Sequence, residues 1–168
     1  MIRIQAGKRK AVASALTFCF FLQQSFCMQV LATNIGGIDG NASGVYNIEP
    51  TATNGDIGLR KYYDFDLSEG DIANLIFHDS IQGKDINTFV NLVDSKINIQ
   101  GIVNTTRNGN FYNGHAVFIS PNGMFVGPSG VLNVGSLSVY TPDQSSYDKY
   151  KGDAFLHNSQ ISKYDKVL

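Results

Sequence analysis

In the second half of the chain, branched aliphatic residues return every twenty positions: Ile97, Val117 and Leu137 form one series, and Ile99, Ile119 and Val139 a second, two residues on. Phe77 extends the first series backwards by the same step, and the turn clusters Asn108-Gly109-Asn110 and Pro128-Ser129-Gly130 keep the interval. A fixed period of this order marks stacked units, each burying its apolar face only against its neighbours. Ile97 and Ile99 share one face of a strand while Asn98 points to the other. Stacking one such strand per coil places a ladder of branched aliphatics inside. The fold class expected is all-β, a parallel β-helix whose core holds Ile97, Ile99, Val117, Ile119, Leu137 and Val139. By the same alternation Phe118 faces outward, so Ile119→Ala is expected to unfold the domain more readily than Phe118→Ala. A β-sandwich also uses short strands and frequent turns, but nothing in it would keep one beat in both core and turn positions.

The rest of the mature sequence agrees with short strands. Tyr63, Phe65 and Leu67 alternate as one half-buried strand, Ile72 to Phe77 reads as another, and Gly, Asn, Asp and Ser interrupt the apolar runs every few positions. The ladder fades at both ends. The stretch from Gly36 to Thr53 has no partner in it and is expected to form an N-terminal cap, which a solenoid needs over the open end of its core. Beyond Tyr140-Thr141-Pro142, the polar stretch from Asp143 to Gly152 reads as a loop or an excursion from the coils. The sequence stops at Lys166-Val167-Leu168 within an unfinished pattern, as a piece of a longer protein would.

At the N-terminus, Arg3, Lys8, Arg9 and Lys10 precede an uncharged, mainly apolar run from Ala11 to Ala32. That order is a secretory signal peptide over residues 1–32 with cleavage after Ala32, leaving one domain over residues 33–168. Gln23, Gln24, Ser25 and Gln29 interrupt the run and argue against a membrane anchor. Both cysteines, Cys19 and Cys27, lie in the leader, so the mature chain has no disulfide. Processing removes four of the 13 basic residues and none of the 14 acidic ones. The resulting acidic chain offers no electrostatic footprint for nucleic acid.

Many β-helices bind or cleave polysaccharides, so a secreted polysaccharide-binding or polysaccharide-cleaving protein is the rival reading. Cleavage needs paired carboxylates, or basic residues with metal-binding acids, on one strand face. Asp64 and Asp66 share a face, with Glu69 and Asp71 close behind, but they stand beside a turn, where acids are commonly solvated. His78, His115 and His157 show no ligand spacing, and neither a nucleophile signature nor a phosphate-binding glycine loop is present. The chain is therefore not expected to be an enzyme or to carry a cofactor or metal. The aromatic residues Phe111, Tyr112, Tyr147 and Tyr150 are candidates for contact with a host ligand or a sugar.

Ser120-Pro121-Asn122-Gly123-Met124 has its own physics: Pro121 fixes φ, Gly123 permits positive φ, and Asn122 stands where it can bond nearby backbone. Its first task is to close one coil at a corner. Ile119 to Met124, then Val126-Gly127 and Gly130-Val131-Leu132-Asn133, resembles the Asn-Pro-Asn-Gly-Ile motif and following coil of the filamentous haemagglutinin family, with Ser120 in place of the first Asn. Asn87-Thr88-Phe89-Val90-Asn91-Leu92-Val93 before Ile99-Gln100-Gly101 is similar to the matching region of the high-molecular-weight adhesin branch, and Val134-Gly135-Ser136-Leu137 to leukotoxin-type filamentous adhesins. The resemblance implies a right-handed β-helix acting as the N-terminal export-targeting domain of a two-partner secretion protein, a large secreted or surface-exposed adhesin or toxin of a Gram-negative bacterium. Its partners would be the general secretion machinery, signal peptidase, an outer-membrane β-barrel transporter and, for the whole protein, a host-cell surface ligand. Asn87, Asn91, Ser120, Pro121, Asn122, Gly123 and Met124 would be the residues of the motif and its upstream region that meet the transporter or shape the surface it reads.

Overall fold

The computed structural model describes residues 32–153. Nearly all of the proposed leader, His157 and the unfinished C-terminal pattern lie outside the described residues. Within them the chain is a parallel β-helix made of three ladders of stacked strands. The first ladder stacks β5 (Phe65–Leu67), β10 (Ile97–Ile99) and β14 (Met124–Val126) in parallel, and β1 (Asn34–Ile35) closes it with an antiparallel pairing on β5. The second stacks β2 (Val45–Ile48), β6 (Ile72–Ile76), β11 (Ile102–Arg107) and β15 (Val131–Asn133). The third stacks β4 (Ile57–Tyr62), β9 (Thr88–Val93), β13 (His115–Ile119) and β16 (Ser136–Tyr140), with β3 (Ala52–Asn54) antiparallel on β4.

Inward side chains stack rung on rung. Ile97 lies between Phe65 and Met124, Val103 between Ala73 and Leu132, and Ala116 between Phe89 and Leu137. Phe65, Phe118 and Tyr62 interlock as edge-to-face pairs with ring centroids 5.4 Å apart, a geometry favoured by the ring quadrupole. Each fully buried aromatic or aliphatic side chain of this kind contributes about 1.5–3 kcal/mol relative to exposure.

The twenty-residue ladder is not the coil repeat. The repeat is written instead by asparagines on the outer face of the second ladder, Asn47, Asn74, Asn104 and Asn133, separated by 27, 30 and 29 residues. Each lies two residues after a branched aliphatic, Val45, Ile72, Ile102 or Val131, at the start of its strand. Corners entering these strands stack through backbone bonds of 2.9 Å, from Ile72 N to Gly44 O, Ile102 N to Asp71 O and Val131 N to Gly101 O. A side chain at Gly101 would meet the carbonyl oxygen of Asp71 at 2.3 Å, so the close approach of consecutive corners requires glycine there.

Ile97 and Ile99 are core residues as expected, but Val117 and Ile119 do not stack on them. They lie in a different ladder, and their orientation is opposite to the one expected. Ala116 and Phe118 point into the core of the helix, whereas Val117 and Ile119 point outward and join Leu59, Val90, Leu92 and Tyr147 in a second apolar cluster. Helix α1 (Gln144–Asp153) covers that cluster, so the polar stretch read as a loop or an excursion from the coils is an excursion, and it takes the form of a helix packed on the third ladder. Leu137 and Val139 do face inward, in register with Ala116 and Phe118, yet stay 39% and 43% exposed because no strand follows β16 among the described residues.

The N-terminal stretch is only partly a cap. Within Gly36 to Thr53, β3 closes a ladder edge, as β1 does just before that stretch, but β2 is a regular parallel strand of the second ladder. Tyr63, placed in a strand by its alternation, lies in the corner before β5 and is exposed.

Candidate functional site

The corner between the third and first ladders holds the motif residues. Its turn starts at Ser120, buried behind the strand end, whose hydroxyl donates to Ser95 O at 2.6 Å and accepts from Asn122 N at 3.0 Å. Gly123 N bonds Ser120 O at 3.3 Å, and Gly123 adopts φ 76°, closing the turn that Pro121 opens. Asn122 then reaches across: its Nδ2 donates to Asp94 O at 2.8 Å in the corner of the preceding coil. Ile97 N donates to Gly123 O at 2.9 Å, and Met124 pairs with Ile97 at the start of the next strand. The turn is thus pinned to the coil below by one hydroxyl, one amide and one backbone bond, while Asn122 stays solvent-exposed.

Asp94 is the hub beneath it. Its carboxylate accepts from the Tyr147 hydroxyl at 2.9 Å and from Lys151 Nζ at 2.6 Å, so helix α1 docks on the same corner that carries Asn122. Burial, and then the neighbouring Asp94, hold the Tyr147 hydroxyl well above its usual pKa, keeping it a donor at any physiological pH.

The two upstream asparagines are placed far apart in role. Asn91 is wholly buried: its amide donates to Phe89 O at 3.1 Å and Val117 O at 3.2 Å and accepts from the Tyr62 hydroxyl at 2.8 Å. A side chain so satisfied within the core is an architectural residue and presents nothing to a partner. Asn87 is exposed at the corner between the second and third ladders. There it accepts from the Tyr112 hydroxyl at 2.6 Å and from Arg107 Nη2 at 3.3 Å, and donates to Asp56 at 3.2 Å. Arg107 lies over the Tyr112 ring, 3.6 Å from its centroid, and also donates to Ile86 O.

Three of the four acids weighed for catalysis, Asp64, Asp66 and Asp71, have local hydrogen-bond partners. Asp64 accepts from Asn34 Nδ2 at 3.1 Å and Asp71 from the Thr33 hydroxyl at 2.5 Å. Partial burial, together with the charge of Asp64, raises the pKa of Asp66, against a hydrogen bond from Asn98. His78 meets Asp85 at 2.8 Å across the hairpin of β7 (His78–Asp79) and β8 (Lys84–Asp85), an acid partner the sequence reading did not find. His115 bonds Ser138 at 2.8 Å. Among the described residues, no three His, Cys, Asp or Glu side chains are grouped to hold a metal ion.

Sequence reasoning missed the outward amide ladder. Asn74 Nδ2 donates to Asn47 Oδ1 at 3.0 Å, Asn104 to Asn74 at 3.0 Å and Asn133 to Asn104 at 3.2 Å. The signal was present as a branched aliphatic, any residue and asparagine, repeated four times, but at unequal intervals. Comparison with protein-family models, curated proteins and solved structures gives no match to this chain.

Proposed function

We propose that this domain targets a secreted or surface-exposed adhesin or toxin for export, by presenting its coil corners to an outer-membrane β-barrel transporter, without catalysis of its own. The observation carrying this reading is the Ser120–Gly123 turn. The segment that resembles the export motif of filamentous haemagglutinins forms an exposed corner, anchored through Asn122 to the coil beneath. A rigid corner offers a preorganised recognition surface, which lowers the ordering cost of association. The mildly acidic composition and the leader-like N-terminus are in keeping with passage through the periplasm. Of the proposed motif residues, Asn87 and Asn122 are exposed, and Pro121, Gly123 and Met124 are half-buried. Asn91 supports the core, and Ser120 supports the turn.

The test is export of Asn122→Ala from cells that also make the partner transporter. The unaltered chain is expected outside the cell, with the variant accumulating in the periplasm. Protease resistance of the two purified proteins separates a lost contact from a loosened coil, since a coil that opens more often is cut faster. Normal export of the variant, with normal resistance, would remove this corner from the recognition surface.

A further inference from the structure

We infer that the groove along the outward asparagine ladder is a binding site for a linear, uncharged glycan, independent of the export corner. The groove encloses about 390 Å³ on the outer face of the second ladder and is lined by Asn47, Asn74, Asn104 and Asn133 with Ile76 and Phe111 on its wall. An asparagine side chain has two N–H donors and an acceptor oxygen with two lone pairs. Asn74 and Asn104, the internal rungs, each use one donor and accept one bond within the ladder. Each therefore retains one N–H and one lone pair, and these recur at the strand spacing of about 4.8 Å. Sugar hydroxyls, which donate and accept from one atom, match such a row of paired valences, and successive rungs offer the same contact to successive residues of a chain.

The wall is built as deliberately as the floor. Asn108 and Gly109 both take positive φ, 51° and 74°, forming the two-residue turn that folds β12 (Asn110–Phe111) back on β11. That hairpin sets Phe111 opposite Thr106, beside the amide row, and leaves it 55% exposed. An apolar ring next to convergent polar groups is the usual composition of a small-molecule or saccharide site. None of the lining side chains is charged. The site thus lacks the cation that selects a uronic acid, a sulfated sugar or a nucleic acid phosphate.

The purified full chain is run through native gels containing a neutral mannan, β-glucan or galactan, and through gels containing polygalacturonate. Soluble oligosaccharides of any retarding polymer are then titrated by calorimetry. Retardation by at least one neutral polymer and not by polygalacturonate is expected. Phe111→Ala should weaken the titrated affinity roughly tenfold. Asn133→Ala, which removes only the last rung, should weaken it roughly threefold. Both residues are exposed, so unchanged protease resistance identifies these losses as contact losses. Failure of every neutral polymer to retard the chain, equal retardation by polygalacturonate, or affinity that Phe111→Ala leaves unchanged would overturn the assignment.

Discussion

The two faces of the third ladder are both apolar and both buried, but by different covers. Inward, Phe89, Ala116 and Phe118 are covered by the other two ladders, with Phe65 edge-on to Phe118. Outward, among the described residues, Leu59, Val90, Leu92, Val117 and Ile119 are covered by Tyr147 of helix α1, with Ile57 and Tyr140 packed against them. The interior belongs to every coil and cannot open without undoing the stack. The outer cluster can lose its lid and leave the strands paired. A strand buried on both sides reads as a continuous apolar run, which is why alternation through Ala116-Val117-Phe118-Ile119 did not reveal which face was the interior.

The contrast is broken or upheld by truncations on the two faces. Phe118→Ala should cost about 3–5 kcal/mol, a cavity in the common core, seen as a large drop in the denaturant midpoint. Ile119→Ala, under the helix, should fall near the low end of the range for its type, about 2 kcal/mol. The reverse order would restore the orientation first inferred from the sequence. Asn91→Ala tests the interior by polarity: it strands the Tyr62 hydroxyl and two backbone carbonyls, at about 1–3 kcal/mol for a buried group left unsatisfied. Asn91→Asp, which can still accept from Tyr62, should not rescue it, because a carboxylate cannot donate to Phe89 O and Val117 O.

Tyr147→Phe sharpens the outer side. It removes only the hydroxyl bond to Asp94 and should cost about 1 kcal/mol, expressed as faster amide exchange in residues 144–153 while β9 and β13 stay protected. The smallest effect is a pH dependence of the same helix. Hydrogen bonds from Ser146 and Ser145 lower the Asp143 carboxyl from 3.8 to about 2, where it caps the helix N-terminus. A lowered acid contributes stability that is fully present above its unfolded value and is lost as pH falls through its folded value. Exchange in the helix should therefore accelerate as pH drops from about 3.8 to about 2, beyond the intrinsic trend, and Asp143→Asn should abolish that dependence.

The fold class was legible because short, turn-bounded strands with inward aliphatics leave few architectures, and Ile97 and Ile99 carry that signal correctly. The period was not legible. Val117 and Leu137 differ by twenty positions yet stand one register step apart, since Leu137 pairs with Ala116. Unequal insertions between the second and third ladders hide the true interval, which the aliphatic and asparagine positions of the second ladder display. At the corner, Asn122 was readable from local turn chemistry, as a short polar side chain that bonds backbone. The burial of Asn91 was not, because a polar residue in an apolar run declares its partners only when Tyr62 and Val117 arrive from other coils.

Those insertions have an evolutionary consequence. Between β6 and β9 the chain makes the β7–β8 hairpin, between β11 and β13 the β12 arm, and between β15 and β16 only Val134 and Gly135. The corners entering β6, β11 and β15 are held by backbone bonds to the coil below or by glycine contact, and leave little room for added residues. The structure leaves room for added residues on one side of the solenoid, where this chain's own coils already differ by a surface arm while their strands keep the stacking register. A lineage carrying this scaffold can diversify what it displays without rediscovering how to fold.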